Sequence, residues 1–166
     1  MRQYLHVSAG PYQFLLDAEG IHEILELEAH ASAAGYRDWR GRLLPSVNGR
    51  CLLGLANCEL SPSHAGVVYS AVDLETPLML ELDRVGRLRY AEDDQLLALP
   101  PLPEKAERLF DRVLPDEVLG VQLYHLRRPL DIQALLREWS APALPDSVQM
   151  PETLAARRQS KQRKKK

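Results

Sequence analysis

An all-β fold with minor helical pieces is what this sequence predicts, and three observations predict it. Short apolar segments recur along the chain, several alternating polar and apolar residues; turn-forming residues separate them; and no βαβ alternation appears. Twelve prolines outnumber nine glycines, which favours turns and irregular connections over long helices. With 166 residues, 45% of them hydrophobic, the chain can build one domain, or two small lobes sharing a core.

Taken in order, QYLHVSA (residues 3–9) alternates and reads as a strand, Gly10-Pro11 makes a turn, and YQFLLD (12–17) completes a hairpin. In GIHEILELEAHA (20–31), Ile21, Ile24 and Leu25 fall at helical spacing and predict a short helix. Residues 31–37 are small and polar and read as a loop. A strand follows over 42–47, then a turn at Asn48-Gly49, since both residues tolerate positive φ, then a short helix over 50–55. Beyond a loop at 61–66, VVYSAV (67–72) and PLMLELD (77–83) read as an antiparallel pair, and VGRLRY (85–90) and QLLAL (95–99) as further strands. Residues 100–117 form a proline-bounded excursion with a helix across 104–112; VLGVQLYHL (118–126) is a strand. A short C-terminal helix is expected over 131–139, with Asp131 as N-cap and Ile132, Leu135, Leu136 and Trp139 on one face. The folded domain is therefore placed at 1–140, and 141–166 is expected to be a disordered tail, first proline-containing and then basic.

The formal charge of −2 hides an asymmetry. Seven of the 21 basic residues, Arg157, Arg158, Lys161, Arg163, Lys164, Lys165 and Lys166, fall in the last ten positions, leaving 14 against 23 acids, a body at −9. Such a tail, without apolar or aromatic residues, suits electrostatic contact with nucleic acid or another anionic surface. No run of 18 apolar residues occurs and MRQYLHVSAG lacks the apolar core of a signal peptide, so a cytoplasmic protein without membrane insertion is expected. Cys51 and Cys58 are then expected to be reduced and structural.

Catalytic signatures are missing: there is no Walker loop, G-x-G-x-x-G, H-E-x-x-H or G-x-S-x-G, and the histidines at 6, 22, 30, 64 and 125 share no metal-ligand spacing. Glu92-Asp93-Asp94 reads as a solvated turn rather than a cation site, and PPLP at 100–103 as a rigid connector. We expect no enzymatic activity, no cofactor and no metal.

The ordered series of motifs resembles the CheW-like domain, the chemosensory adaptor family. Ile21-His22-Glu23-Ile24 matches the family's Val-x-Glu-Ile element after an opening hairpin. Asp38-Trp39-Arg40-Gly41, Pro45-Ser46-Val47-Asn48, Gly49-Arg50 and Leu53-Gly54 match its Asn-x-Arg-Gly, Pro-Val-Ile-Asp, Leu-Arg and Leu-Gly signatures. Leu82-Asp83-Arg84-Val85, Pro100-Pro101, Gly120-Val121 and the segment from Leu130 to Leu136 follow in the family's order, so that the likeness spans residues 3–138.

The resemblance implies two small β-barrel lobes sharing a hydrophobic core, and a non-enzymatic adaptor of a bacterial chemosensory array that couples or modulates contacts of a methyl-accepting chemoreceptor and a CheA-type histidine kinase. It points to Glu23, Trp39, Arg40, Gly41 and Arg42 as protein-binding residues, with Arg40 serving both the turn and the surface. The chain departs from the pattern at Asp38, Ser46, Asn48 and Gly49. Its segment between Glu23-Ile24 and Arg40-Gly41 is also shorter, which implies that one of the two partner surfaces is altered. The competing expectation is a nucleic-acid-associated factor using the basic tail.

Overall fold

Strand β1, Arg2–Ala9, turns at Gly10 into β2, Tyr12–Asp17, and the two pair antiparallel from Tyr4↔Asp17 to Ala9↔Tyr12. The structure, a computed structural model, describes residues 1–27, 35–55, 64–70 and 77–127. The remaining described elements are β3 (Ile21–Glu26), β4 (Tyr36–Trp39), β5 (Arg42–Asn48), α1 (Gly49–Leu52), β6 (Ala65–Tyr69), β7 (Leu78–Leu82), β8 (Arg84–Ala91), β9 (Leu97–Ala98), α2 (Glu104–Leu109), β10 (Phe110–Asp116) and β11 (Val121–Leu126). They form a six-stranded sheet in the order β8-β1-β2-β11-β10-β9 and a five-stranded sheet in the order β3-β6-β7-β5-β4. The fold class is the all-β one expected from sequence, with only short helices among the described residues.

Each sheet curls on itself. In the first, Arg89 of β8 reaches Asp116 at the end of β10 at 2.9 Å, although three strands separate them in the sheet. The enclosed face carries Tyr4, Leu15, Ala91, Leu96 and Leu123. In the second, Glu23 of β3 bonds Trp39 of β4, joining opposite edges around Leu44, Val68 and Met79. Between the two lobes lies a third and larger apolar layer, to which β1 and β2 give Leu5, Val7, Ala9, Phe14 and Leu16, and β6 and β7 give Val67, Tyr69, Leu78, Leu80 and Leu82. The central strands are thus buried on both faces, which is why VVY reads as an unbroken apolar run and LMLEL as one broken only by Glu81.

A polar corner joins the lobes where β7 passes into β8. Asp83 accepts the Gly10 N–H at 2.7 Å and the Arg50 Nε and Nη2 at 2.8 Å each, while its own N–H goes to the Ser8 carbonyl. Burial raises the Asp83 carboxyl, but the bonds from Arg50 and from the Gly10 N–H outweigh it and hold the group below the usual range. Two sequence departures find their reason beside this corner. Asn48 caps α1, its side chain accepting from the Arg50 and Cys51 N–H groups, a task asparagine performs as well as aspartate. A Cβ on Gly49 would meet the Glu81 carbonyl, the Ala9 Cβ and the Leu82 side chain at 3.1–3.2 Å, so glycine lets α1 lie directly against β1 and β7.

Several local expectations are corrected. The helix expected over 20–31 is strand β3 through its first part: inward Ile21, Glu23 and Leu25 alternate with exposed His22, Ile24 and Glu26, and pairing with β6 overrides the helical spacing. Asn48-Gly49 is a helix start rather than a hairpin turn. The helix expected to run to Arg112 stops at Leu109, and FDRVLPD forms β10; Pro115 is tolerated because β9 pairs only at Arg112 and Val113. The strand expected over 95–99 shrinks to two residues behind a 3-10 turn. Cys51 is disulfide-bonded rather than reduced. The C-terminal helix and the tail expected from sequence lie outside the described residues.

Leu82 is fully buried in the interlobe layer, so Leu82→Ala should cost about 2–5 kcal/mol in a denaturant titration. Asp83→Asn should cost about 1.5–3 kcal/mol through loss of its charged hydrogen bonds, and should flatten the acid limb of the stability curve.

Candidate functional site

Four of the five residues expected from sequence to bind protein lie on one hairpin of the second lobe, and the fifth touches it. Strands β4 and β5 pair through Trp39↔Arg42, leaving Arg40-Gly41 as a two-residue turn with φ of 52° and 77°. Positive φ at both positions is what a type I′ hairpin turn requires. At Gly41 an added Cβ would meet nothing within 4 Å, so the demand is purely one of backbone conformation. Arg40 is the one non-glycine residue with positive φ among the described residues.

The side chains around the turn interlock. Trp39 donates its Nε1–H to Glu23 Oε2 at 2.7 Å; Arg40 Nη2 reaches the same oxygen at 3.1 Å and its guanidinium carbon lies 5.1 Å from the Trp39 ring centroid. His22 meets the indole edge-on at 6.2 Å and is itself bonded to Ser70 Oγ at 2.7 Å. Glu23 therefore holds two residues of the opposite edge strand's turn at once. Arg42 is exposed next to them and makes no ion pair among the described residues.

The contacts of Arg40 can be set against the cost of its backbone. Its side chain is 70% exposed, so the ion pair with Glu23 stabilises by ~1 kcal/mol or less. A left-handed backbone at a residue with a Cβ costs roughly 1–2 kcal/mol. Backbone strain by itself favours glycine or asparagine at this position, and the arginine offsets part of it through Glu23 and the Trp39 ring.

Two buried polar groups were not foreseen from sequence. Inside the second lobe, Arg37 of β4 donates Nε and Nη2 to Glu81 of β7, and both side chains are about nine-tenths buried. Inside the first, His125 lies between two carboxylates, with Nδ1 2.6 Å from Asp111 and Nε2 3.3 Å from Asp17. The bulge between Phe110 and Arg112 turns Asp111 toward the ring. Both signals were present: Glu81 interrupts LMLEL and His125 interrupts VQLYHL. With both ring nitrogens engaged, His125 has none left to take a substrate proton or ligate a metal.

Among the described residues no group of three or more His, Cys, Asp or Glu is arranged to hold a metal ion. Glu92 and Asp93 instead meet the N-terminal ammonium and Arg2, at 2.9 and 3.4 Å. The tail residues from Arg157 to Lys166 lie outside the described part, and no described helix is long and apolar enough to cross a membrane.

Burial by itself lowers the pKa of His125, but the bonds to Asp111 and Asp17 outweigh it and raise it to about 8. The stabilisation is then complete below the ordinary histidine range near 6.5 and is lost as pH rises through 8, by about 2 kcal/mol in all. Denaturation across that interval should show this slope in the wild type and lose it in His125→Gln.

The chain matches no protein-family model and no curated protein. Among solved structures it is similar to the scaffolding protein TtCheW from Thermoanaerobacter tengcongensis, at 11% sequence identity and a TM-score of 0.59, over 76% of this chain and 88% of that one. The likeness agrees with the two curled sheets and their shared apolar layer: the chain has a CheW-like fold.

Proposed function

We propose that this protein is a non-enzymatic adaptor of a bacterial chemosensory array. It couples or modulates the contacts of a methyl-accepting chemoreceptor and a CheA-type histidine kinase. The observation that carries the reading is the exposed Arg40 guanidinium, kept at positive φ and braced on Trp39 and Glu23 at the rim of a lobe of the CheW-like fold. Glu23, Trp39, Arg40, Gly41 and Arg42 form one protein-binding surface in this proposal, combining an arginine and a tryptophan as contact surfaces commonly do. The shortened segment before the hairpin alters one of the adaptor's two partner surfaces, so the protein holds one partner firmly and the other weakly.

Calorimetry against the receptor tip and against the kinase regulatory domain tests this. Arg40→Gly should leave the thermal midpoint at or above that of the wild type, because the turn loses its strain, yet weaken the firmly held partner by at least ~10-fold. Equal tight binding of both partners, untouched by Arg40→Gly and Trp39→Ala, would defeat the proposal. Salt-sensitive retention of DNA or RNA with neither partner bound would favour a tail-dependent nucleic-acid factor instead.

A further inference from the structure

The first lobe has a mouth of its own, away from the Arg40 hairpin, and its lining is unlike the rest of an acidic chain. On one side stand Arg84, Arg87 and Arg89, all from β8; on the other stand Leu119 and Val121, from the turn and strand that follow β10. The register explains the grouping. Tyr4↔Arg89 and Ser8↔Arg84 place Arg89 and Arg84 on the enclosed side of the curled sheet, and the irregularity opposite His6 brings Arg87 to the same opening.

These arginines are not held in the same way. Asp116, with a side chain only 8% exposed, accepts the Leu119 N–H at 3.0 Å and pairs with Arg89 at 2.9 Å, so one carboxylate fixes both the turn and the arginine facing it. Arg89 Nε is buried and has no hydrogen-bond partner among the described residues. Arg84 and Arg87 are exposed and make no ion pair or hydrogen bond among the described residues. The floor is the His6–Gln13 pair at 2.7 Å; burial lowers the His6 pKa more than the Gln13 bond raises it, so the floor is uncharged at neutral pH. On the facing turn Val118 is 96% and Leu119 52% exposed, two large aliphatic side chains offered to solvent at the tip of a braced hairpin.

Two free guanidinium groups facing an exposed aliphatic wall define what would fit. A small inorganic anion would use the arginines and leave the wall bare. We propose that this mouth docks an acidic segment of a protein partner, with carboxylates on Arg84 and Arg87 and an aliphatic residue between them resting on Leu119 and Val121. The inference stands apart from the adaptor reading, because it concerns the other lobe and needs no particular partner.

Fluorescence anisotropy with the full-length protein and a labelled Glu-Leu-Asp-Glu-Leu-Asp peptide tests it, the tail being present in every variant. The peptide should bind, Arg84→Ala/Arg87→Ala together should weaken it by at least ~10-fold, either single variant and Leu119→Asn by smaller factors, and Arg108→Ala, the same loss of charge as either single variant but elsewhere, should change nothing. Affinity unchanged in the double variant would place binding on the tail or another surface and overturn the proposal. So would displacement of the peptide by inorganic phosphate as readily as by unlabelled peptide, which would mark a simple anion site. Substitution of lysine for the acidic residues of the probe should abolish binding.

Discussion

Burying β1 and β2 of one lobe against β6 and β7 of the other, while the same strands also close their own barrels, is the constraint to which most of the remaining structure answers. A strand in that position has no polar face to spare, so Phe14, Leu15 and Leu16, or Val67, Val68 and Tyr69, are buried consecutively. Neither sheet can slip by one residue relative to the other without exchanging the residues of the interlobe layer for those of a barrel interior. The glycine at 49 and the fully buried Ala9 follow from the same demand, since α1 has to fit over this layer without lifting off it.

Polar contacts in this protein join elements that the hydrogen-bond ladders leave apart. Asp83 links the first hairpin, the β7–β8 corner and α1; Asp116 links β8 to the turn after β10; Glu23 links β3 to the turn after β4. In each case one carboxylate accepts from a backbone or indole N–H and from an arginine, so that loss of one partner leaves a charge still anchored by the other. Arg37–Glu81 and His125–Asp17 differ: all four side chains are about nine-tenths buried or more, so a broken pair would leave a poorly solvated charge.

Period-two patterning, short apolar runs and turn chemistry made the first hairpin, β5, β6, β7 and β8 legible in the sequence. The elements misread were those whose local pattern competes with a long-range partner. Ile21, Ile24 and Leu25 fit a helix until β6 is known to lie alongside, and β10 hides behind the prolines that frame it. Resemblance, rather than periodicity, brought Glu23 and Arg40 together as candidates; their shared contact with Trp39 depends on the curl of a five-stranded sheet, which no short window encodes. The arginine mouth was still less visible, because Arg84, Arg87 and Arg89 gain their meaning from Leu119 and Val121, far along the chain and facing them only once the first sheet has closed.

The left-handed turn at Arg40 also sets which residues the tip of this hairpin can accept. Glycine and asparagine occupy such a conformation more easily, so a change at position 40 to either of them relieves backbone strain, whereas a β-branched residue would add to it. The charge at the rim of this lobe is therefore carried by a residue that works against the backbone beneath it.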